Sequence, residues 1–241
     1  MGIVNVTPDS FSDGGQYFRP EEAVRRARNL VDDGADIVDL GGESTRPGAT
    51  PLGWEEEWAR VEPVLRALKA TRVKGRALAA KLSVDTYHPE TAERAIAAGA
   101  DIVNCVRAEP IPEMLKLLGG NDVELVLPAK ALPGLPDAQA LLPRLYLDPM
   151  IGFDTTREED IELLRSIPAL VRRGRVLVGA SRKRIVKKLT GEKMTGKNLG
   201  GNLGIAAWAA MMGASVVRVH DVKETFQALK VIECLQSDAE G

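Results

Sequence analysis

The sequence is poor in the residues that carry several common functions. Only two cysteines and two histidines occur among its 241 residues, so a structural zinc site is not expected. Cys105 and Cys234 lie far apart and form no Cys-x-x-Cys motif, which favours a reducing, cytoplasmic location over secretion. Aromatic residues make up 4% of the chain and the net charge is -2, so no nucleic-acid partner is expected.

Long apolar runs are also missing. No stretch of about 18 apolar residues occurs, so the sequence predicts neither a membrane-spanning helix nor a membrane partner. The chain starts with MGIVNVTPDSF, which lacks the basic and apolar segments of a signal peptide. With 44% hydrophobic residues, the chain can nevertheless bury a sizeable core.

A recurring pattern indicates the fold. The segments 31–40, 96–105 and 211–220 each combine a helix end, a Gly-Ala pair, a short apolar run and a polar residue. The glycine of each pair fits the left-handed position that ends a helix. The run that follows is short and apolar enough for a buried parallel strand. The segments recur at multiples of about 30 residues, the length of one strand–helix unit.

We therefore expect an α/β fold, a (β/α)8 barrel that forms a single domain over residues 1–241. A doubly wound parallel sheet is the alternative. Unit five is expected to be short, and any N-terminal plug to be either missing or trimmed from the sequence, because the first strand starts at residue 2. The predicted strands are 2–6, 36–40, 80–84, 101–105, 123–127, 144–148, 175–179 and 215–219. The predicted helices are 20–33, 54–70, 88–98, 110–118, 158–173, 198–212 and 221–235.

Polar residues follow nearly every predicted strand. In barrels of this type, side chains at the carboxyl ends of the strands carry the chemistry. Each such residue also has a structural explanation: Asp85 could cap the next helix, and Asn104 could satisfy a turn. A ring of them points to a site for a polar heterocycle with an anionic group. The ring comprises Asn5, Asp39, Asp85, Asn104, Asp148, Ser181, Lys183, Arg218 and His220.

An anion clamp is predicted where the last strand meets the first. Arg218 and His220 alternate along a strand, so both side chains are expected on one face. A guanidinium matches phosphate oxygens, and the neutral oxygen of Asn5 suits Mg2+ held jointly with a phosphate. A structural Arg218, paired with a carboxylate, is the alternative. The loops 8–20 and 41–53, rich in Gly, Pro and Ser, are expected to bind ligand.

Several sequence strings together resemble the dihydropteroate synthases. They occur in collinear order, and the likeness covers nearly the whole chain. The strings are NVTPDSFSDGG at 5–15, GGESTRPGA at 41–49, SVDT at 83–86, DPMIGF at 148–153, SRK at 181–183 and RVHDV at 218–222.

The resemblance implies a barrel-shaped transferase of folate biosynthesis. Such an enzyme condenses 6-hydroxymethyl-7,8-dihydropterin pyrophosphate with p-aminobenzoate, or a related arylamine, and releases pyrophosphate. The resemblance further implies Mg2+ as cofactor, a homodimer formed through the later helices, and sulfonamides as inhibitors. The implied mechanism is dissociative: pyrophosphate leaves first, a cationic pterin methylene is stabilised, and the neutral amine attacks it.

The same resemblance implies roles for individual residues. Catalysis is assigned to Asp85, Lys183, Arg218 and His220. The pterin pocket is assigned to Asp85, Asn104, Asp148 and Lys183. The pyrophosphate site is assigned to Asn5, Thr45, Arg218 and His220, with Asn5 as the metal ligand. The arylamine site is assigned to Phe11, Arg46, Pro47, Phe153 and Arg184.

The chain departs from the family pattern in several places. Cys105 follows Asn104 where the family usually has an aspartate, and the Met-His pair near the end of strand five is replaced by 127–130. The basic residue expected soon after Phe153 is absent. Arg184 replaces the serine that lies close to the arylamine carboxylate, so we hypothesise that it binds a different or larger anion on the arylamine.

Two other functions fit part of the sequence. One is the pterin-binding domain of a methyltransferase with a corrinoid partner, which would not need the pyrophosphate clamp. The other is a pterin-binding homologue without synthase activity, which the changes after strands four and five would suit. Pyrophosphate release separates the synthase from both.

Overall fold

The computed structural model describes residues 1–7, 20–43, 50–73, 76–135 and 138–237. These residues form two compact units. We refer to residues 2–127 as the N-unit and to Met1 together with residue 128 onward as the C-unit. The organisation as a single domain stays a prediction. None of the helices in the described part of the chain is long and apolar enough to cross a membrane.

The N-unit is built on five parallel strands in the order β1-β2-β5-β6-β7. A two-stranded antiparallel hairpin, β3 with β4, follows the second helix. The elements are β1 (Gly2–Asn5), α1 (Pro20–Asp32), β2 (Ile37–Gly41), α2 (Trp54–Ala70), β3 (Arg72–Val73), β4 (Arg76–Ala77), β5 (Lys81–Asp85), α3 (Pro89–Ala97), β6 (Ile102–Asn104), α4 (Ile111–Leu117) and β7 (Glu124–Pro128).

The C-unit continues the alternation with three parallel strands, ordered β8-β9-β10. Met1 belongs to this unit because its amino group donates to the Val217 carbonyl at 3.0 Å. The elements are α5 (Ala138–Leu141), β8 (Leu145–Asp148), α6 (Arg157–Val171), β9 (Arg175–Val178), α7 (Arg184–Thr190), α8 (Leu199–Met211), β10 (Val216–Val217) and α9 (Val222–Ser237), with 3-10 turns at Ala129–Gly134, Leu142–Arg144 and Thr195–Lys197.

Amphipathic helices cover the strands within each unit. Helix α1 buries Ala23, Ala27 and Leu30, whose spacing places them on one helical face. In the C-unit, α6 contributes Leu164 and Ile167 to a core that also contains buried residues of β9 and α7. The strands themselves are buried almost throughout, which agrees with their nearly continuous apolar runs.

The predicted strands are confirmed, seven of them to within one residue at each end. The last strand is shorter than predicted, but backbone hydrogen bonds continue beyond it: the Arg218 amide donates to Val178 and the Val219 amide to Met1. The predicted helix-ending glycines are also confirmed, since Gly34, Gly99 and Gly213 have positive φ.

Two elements were not predicted from the sequence. Helix α7 has seven residues and buries only Ile185 and Val186, too few to produce a helical periodicity. The hairpin of β3 and β4 has two-residue strands, too short for an alternating pattern. The shortening of unit five is confirmed, because a 3-10 turn and the four-residue α5 stand where a full helix would be.

Candidate active site

The strand ends of the N-unit carry a row of polar side chains. Asn5, Gly41, Asp85 and Asn104 are register partners across β1, β2, β5 and β6. Gly41 contributes no side chain, and a Cβ there would lie 3.8 Å from Asp85 Cβ and 4.0 Å from Asn5 Oδ1. The glycine therefore leaves space in the row between a carboxylate and an amide.

A buried network connects Asn104 of this row to two residues one layer below it. Asp39, Ser83 and Asn104 are each no more than 1% exposed. The Ser83 hydroxyl donates to Asp39 Oδ1 at 2.5 Å, and Asn104 Nδ2 donates to Asp39 Oδ2 at 3.1 Å. Asn104 Oδ1 is buried and has no hydrogen-bond partner among the described residues. The network thus holds the amide by its nitrogen.

The segment after Asp85 is tied to a buried glutamate of α2. The Thr86 hydroxyl donates to Glu57 at 2.6 Å, and the Thr86 amide donates to the Asn104 carbonyl at 3.0 Å. Burial raises the pKa of Glu57, and hydrogen bonds from threonine hydroxyls oppose that effect. The residue preceding α3 is His88, which makes no side-chain capping bond. The alternative role of Asp85 as a cap of this helix stays a prediction.

A second carboxylate of the N-unit sits at the start of the loop after β2. The Tyr87 hydroxyl donates to both oxygens of Glu43, at 2.7 and 2.9 Å. Burial and this hydrogen bond raise the pKa of Tyr87 to about 12. The guanidinium of Arg107 lies 3.7 Å from the centre of the Tyr87 ring. Tyr87 therefore remains a neutral donor that fixes Glu43.

In the C-unit, Asp148 ends β8 as a buried carboxylate facing cations. Burial raises the pKa of Asp148, while the charges of Lys183 and Arg218 and a hydrogen bond from the Met150 amide, at 2.7 Å, lower it. The carboxylate is thus buried but electrostatically compensated, which suits a group that accepts hydrogen bonds from a ligand.

The loop after β8 wraps around Lys183. Lys183 Nζ donates to the Ile151 carbonyl at 2.7 Å and lies 3.9 Å from the centre of the Phe153 ring. Gly152 has φ +77°, and a Cβ there would lie 3.0 Å from Lys183 Cδ. The glycine of the DPMIGF string is therefore required both by its conformation and by the close approach of the lysine.

The same loop is braced at its far end. Asp160 Oδ1, on α6, accepts hydrogen bonds from the Gly152 amide at 2.7 Å and from the Thr155 hydroxyl at 2.5 Å. Arg184 donates to the Thr155 carbonyl and is otherwise an exposed side chain. Of the residues predicted for the arylamine site, Phe153 thus belongs to this loop and Arg184 contacts it.

His220 is held by a serine. Ser181 Oγ lies 3.1 Å from His220 Nδ1 and also accepts a hydrogen bond from the His220 amide at 3.3 Å. The stem of Arg218 lies along Gly179, where a Cβ would be 3.8 Å from both Cβ and Cδ of the arginine. Arg218 and His220 therefore emerge from a closely packed strand end.

The structure brings together two groups of predicted residues, one in each unit. The N-unit groups Asn5, Asp85 and Asn104, and the C-unit groups Asp148, Phe153, Lys183, Arg184, Arg218 and His220. Phe11, Thr45, Arg46 and Pro47 lie outside the described residues. Asp39 belongs to the ring predicted from the sequence but has no individual role there, and Ser83 lies outside that ring. Their positions two residues before Gly41 and Asp85 place them on the same strand faces as those residues, a signal that could have pointed to Ser83 as well.

Comparisons with known proteins indicate the family of this chain. The sequence profile of the family described as "Pterin binding enzyme" matches residues 1–140 and 136–220. The dihydropteroate synthase of Neisseria meningitidis serogroup C is 37% identical over 98% of this chain and 92% of its own. The enzyme of Synechocystis is 36% identical over 98% of this chain and 89% of its own.

Solved structures give the same result. The Xanthomonas albilineans dihydropteroate synthase with 4-aminobenzoic acid has a TM-score of 0.87 and 39% identity, covering 98% of this chain and 92% of that one. The expected fold class, an α/β protein of the (β/α)8-barrel type, is thereby confirmed. The chain belongs to the dihydropteroate synthase family of pterin-binding enzymes.

Proposed function

We propose that this chain is a transferase that condenses 6-hydroxymethyl-7,8-dihydropterin pyrophosphate with p-aminobenzoate, giving dihydropteroate and pyrophosphate. The observation that carries the proposal is Asp148, buried at a strand end and compensated by Lys183 and Arg218. A carboxylate accepts two hydrogen bonds from an aminopyrimidine edge, and a lysine donates to a carbonyl oxygen. A related dihydropteroate synthase has been solved with 7,8-dihydropteroate, which supports the same product here.

The pterin ring is assigned to four residues. Asp148 accepts from its amino edge, and Lys183 donates to its carbonyl oxygen and ring nitrogen. Asp85 and Asn104 supply further acceptors from the strand ends of the N-unit. The buried state of Asn104 and the compensated charge of Asp148 support these roles, since desolvated polar groups discriminate strongly between ligands that pair with them and ligands that do not.

The pyrophosphate is assigned to Asn5, Thr45, Arg218 and His220, together with Mg2+. Among the described residues no group of three or more His, Cys, Asp or Glu could hold a metal ion. The donor set nevertheless fits Mg2+, because this ion binds through few protein oxygens and takes phosphate oxygens and water for the rest. Asn5 Oδ1 would hold it, and the bound ion would neutralise charge on the leaving pyrophosphate.

The arylamine is assigned to Phe11, Arg46, Pro47, Phe153 and Arg184. Phe153 supports the assignment because its ring lies against Lys183, beside the proposed pterin site of the C-unit. Arg184 retains an exposed guanidinium beside the same loop, and we propose that it binds the acidic group of the arylamine.

The reaction requires positioning more than proton transfer. The bond between the pterin methylene carbon and the pyrophosphate oxygen breaks first, and its electron pair leaves with pyrophosphate. Arg218 and His220 stabilise the leaving charge, while Asp85 and Asp148 stabilise the positive charge left on the pterin. The neutral amine then forms the new carbon–nitrogen bond and loses a proton to water, so no side chain of tuned pKa is needed.

Pyrophosphate release tests the proposal. The chain is mixed with the pterin pyrophosphate, Mg2+ and a panel of arylamines that includes p-aminobenzoate, and pyrophosphate and pteroate are both measured. We expect equal amounts of the two products, and a strong loss in Arg218→Ala. Tight pterin binding without release for any arylamine would contradict the synthase and favour a silent pterin-binding homologue. Arg184→Ser tests the arylamine assignment, which fails if the KM for the arylamine and sulfonamide inhibition are both unchanged.

We also propose a homodimer and a cytoplasmic location. Large apolar side chains are exposed on the last two helices, among them Trp208, Met211, Phe226, Val231 and Leu235. Such side chains favour a subunit interface. Neither Cys105 nor Cys234 forms a disulfide bond, which suits a reducing compartment. Sedimentation of the wild type and of Met211→Glu tests the dimer, since the variant is expected to shift toward the monomer.

A further inference from the structure

We infer that Asp39 is a positioning residue for the pterin: it fixes the Asn104 amide with its nitrogen toward the protein and its oxygen toward the substrate. The inference rests on the proposed function and concerns a residue to which that function assigns no role. Asp39 would thereby ensure that Asn104, whose amide has both a donor and an acceptor, presents only the acceptor to a ligand.

Asp39 and Asn104 differ in the hydrogen bonds that their side chains can make. An ionised carboxylate only accepts hydrogen bonds, whereas an amide carries a donor at nitrogen and an acceptor at oxygen. The environment of an amide decides which end faces which way. Asp39 Oδ2 lies 3.1 Å from Asn104 Nδ2. With a carboxylate at that position, a reversed Asn104 amide would place two acceptors against each other.

Asp39 is itself held in one orientation. The Ser83 hydroxyl donates to its other oxygen at 2.5 Å, and Ser83 is the register partner of Asp39 on the neighbouring strand. Asp39 and Ser83 are both fully buried. Because each lies on a strand rather than on a loop, the carboxylate plane is set by the sheet, and Asn104, two strands away from Asp39, is positioned against it.

The consequence is an acceptor prepared for a donor. Asn104 is 1% exposed, and its Oδ1 is buried with no hydrogen-bond partner among the described residues. A buried acceptor without a donor is costly, so a ligand that brings an N–H or amino group there is favoured. A ligand that brings a second acceptor is rejected. Asp39 therefore selects, through Asn104, for the donor-bearing edge of the heterocycle.

Asp39→Asn is the first test, since it keeps the shape and removes the constraint. Binding of 6-hydroxymethyl-7,8-dihydropterin is measured by calorimetry, and KM values are measured for both substrates. We expect pterin affinity to fall by about tenfold or more and the KM for p-aminobenzoate to change by less than about twofold. Ser83→Ala is the matched comparison: it removes the hydrogen bond that orients Asp39 but leaves the contact of Asp39 with Asn104, so thermal stability falls and we expect a smaller loss of pterin affinity than in Asp39→Asn.

Exchanging the two groups separates positioning from a structural role. In the double variant with Asp39→Asn and Asn104→Asp, the amide at position 39 can donate to the carboxylate at position 104. The second oxygen of that carboxylate then faces the ligand as an acceptor. We expect the double variant to recover part of the pterin affinity that Asn104→Asp alone loses. Melting curves identify variants that are not folded, and the double variant decides the matter if Asp39→Asn does not fold.

The outcomes distinguish this inference from the proposed function. Unchanged pterin affinity in folded Asp39→Asn, or a folded double variant no better than Asn104→Asp alone, overturns the positioning role. Wild-type pterin binding without turnover contradicts the synthase activity but leaves the positioning test intact. A wild-type chain that does not bind pterin at all overturns both.

Discussion

In the N-unit, the polar groups at the strand ends are oxygen acceptors held by other buried side chains. Asp39, Ser83 and Asn104 hold one another through hydrogen bonds between neighbouring and next-neighbouring strands. In the C-unit, the corresponding carboxylate, Asp148, faces the cations Lys183 and Arg218 instead. The same alternation of strand and helix thus stabilises a buried carboxylate in two ways. In the N-unit the carboxylate accepts hydrogen bonds from a hydroxyl and an amide, and in the C-unit it faces positively charged side chains.

The two units also differ in how they hold these groups. The network of the N-unit lies on strands, and its geometry follows from strand register. The C-unit relies on a loop that contains left-handed residues, Met150 and Asp154 among them, and that folds around the lysine stem. Left-handed backbone is costly for residues other than glycine, and such strain is commonly found at functional sites. We therefore expect the N-unit to be more sensitive to substitutions that change packing, and the C-unit to substitutions that change charge.

The largest effect is expected from Asp148→Asn, which removes charge from the C-unit but keeps the shape. Lys183 and Arg218 would lose their buried counter-charge, and one pterin donor would meet an amide nitrogen. We expect kcat/KM for the pterin pyrophosphate to fall by about 10²–10³-fold. Asp154→Asn is the control, because asparagine also tolerates the left-handed backbone of that position, φ +52°. Equal losses in both variants would contradict the special role of Asp148.

A smaller effect is expected from packing in the N-unit. A Cβ at Gly42 would lie 2.8 Å from Val61 Cγ2 and 2.9 Å from the Glu57 carbonyl, whereas a Cβ at Gly41 finds only contacts of 3.8 Å or more. Gly42→Ala should therefore destabilise the protein by about 1–3 kcal/mol, and Gly41→Ala by much less. Denaturant unfolding measures both. Similar free energies of unfolding for the two variants would contradict the prediction that Gly42 is required for the close packing of α2 against this strand end.

The smallest effect is expected from the pH dependence of stability. Burial raises the pKa of Glu57 above its ordinary value of 4.5. Folding therefore favours its neutral form, and the contribution to stability is full below pH 4.5 and lost as the pH rises through the raised pKa. The glutamine in Glu57→Gln cannot titrate. The melting temperature of this variant minus that of the wild type should therefore increase by a few degrees when the pH is raised from acidic to neutral.

Glu159 of the C-unit provides a control of opposite sign. Hydrogen bonds from Thr156 lower the pKa of this exposed glutamate, so its contribution is present above its ordinary pKa and is lost as the pH falls through the lowered value. Glu159→Gln should therefore matter least under acidic conditions. If the difference in melting temperature between Glu57→Gln and the wild type does not vary with pH, the buried glutamate is not the titrating group.

Local sequence patterns were sufficient for the strands and for most helices. Short apolar runs after Gly34, Gly99 and Gly213 predict both the strand starts and the helix ends, because each depends on a few adjacent residues. The polar residues at strand ends were found by the same local reasoning. The family resemblance then supplied their roles, which composition alone does not contain.

What the sequence did not reveal depends on partners distant in the chain. Nothing near Asp39 indicates that its carboxylate meets Asn104, since that contact follows from the order of strands in the sheet. The link between Ser181 and His220 likewise joins the ends of two neighbouring strands. The left-handed conformation of Met150 has no local sequence signal either, because residues other than glycine adopt it only where surrounding contacts impose it.

Cys105 has a practical consequence for following how the N-unit opens. Its thiol directly follows Asn104, is 1% exposed and donates to the Arg107 carbonyl at 3.3 Å. Burial raises its pKa to about 12, so thiolate, the reactive form, is scarce at neutral pH. Cys234 on α9 is exposed and serves as an internal reference. The rate at which a thiol reagent labels Cys105 relative to Cys234 therefore reports how often the strand that carries Asn104 exposes its end, and a pterin bound there should slow that rate.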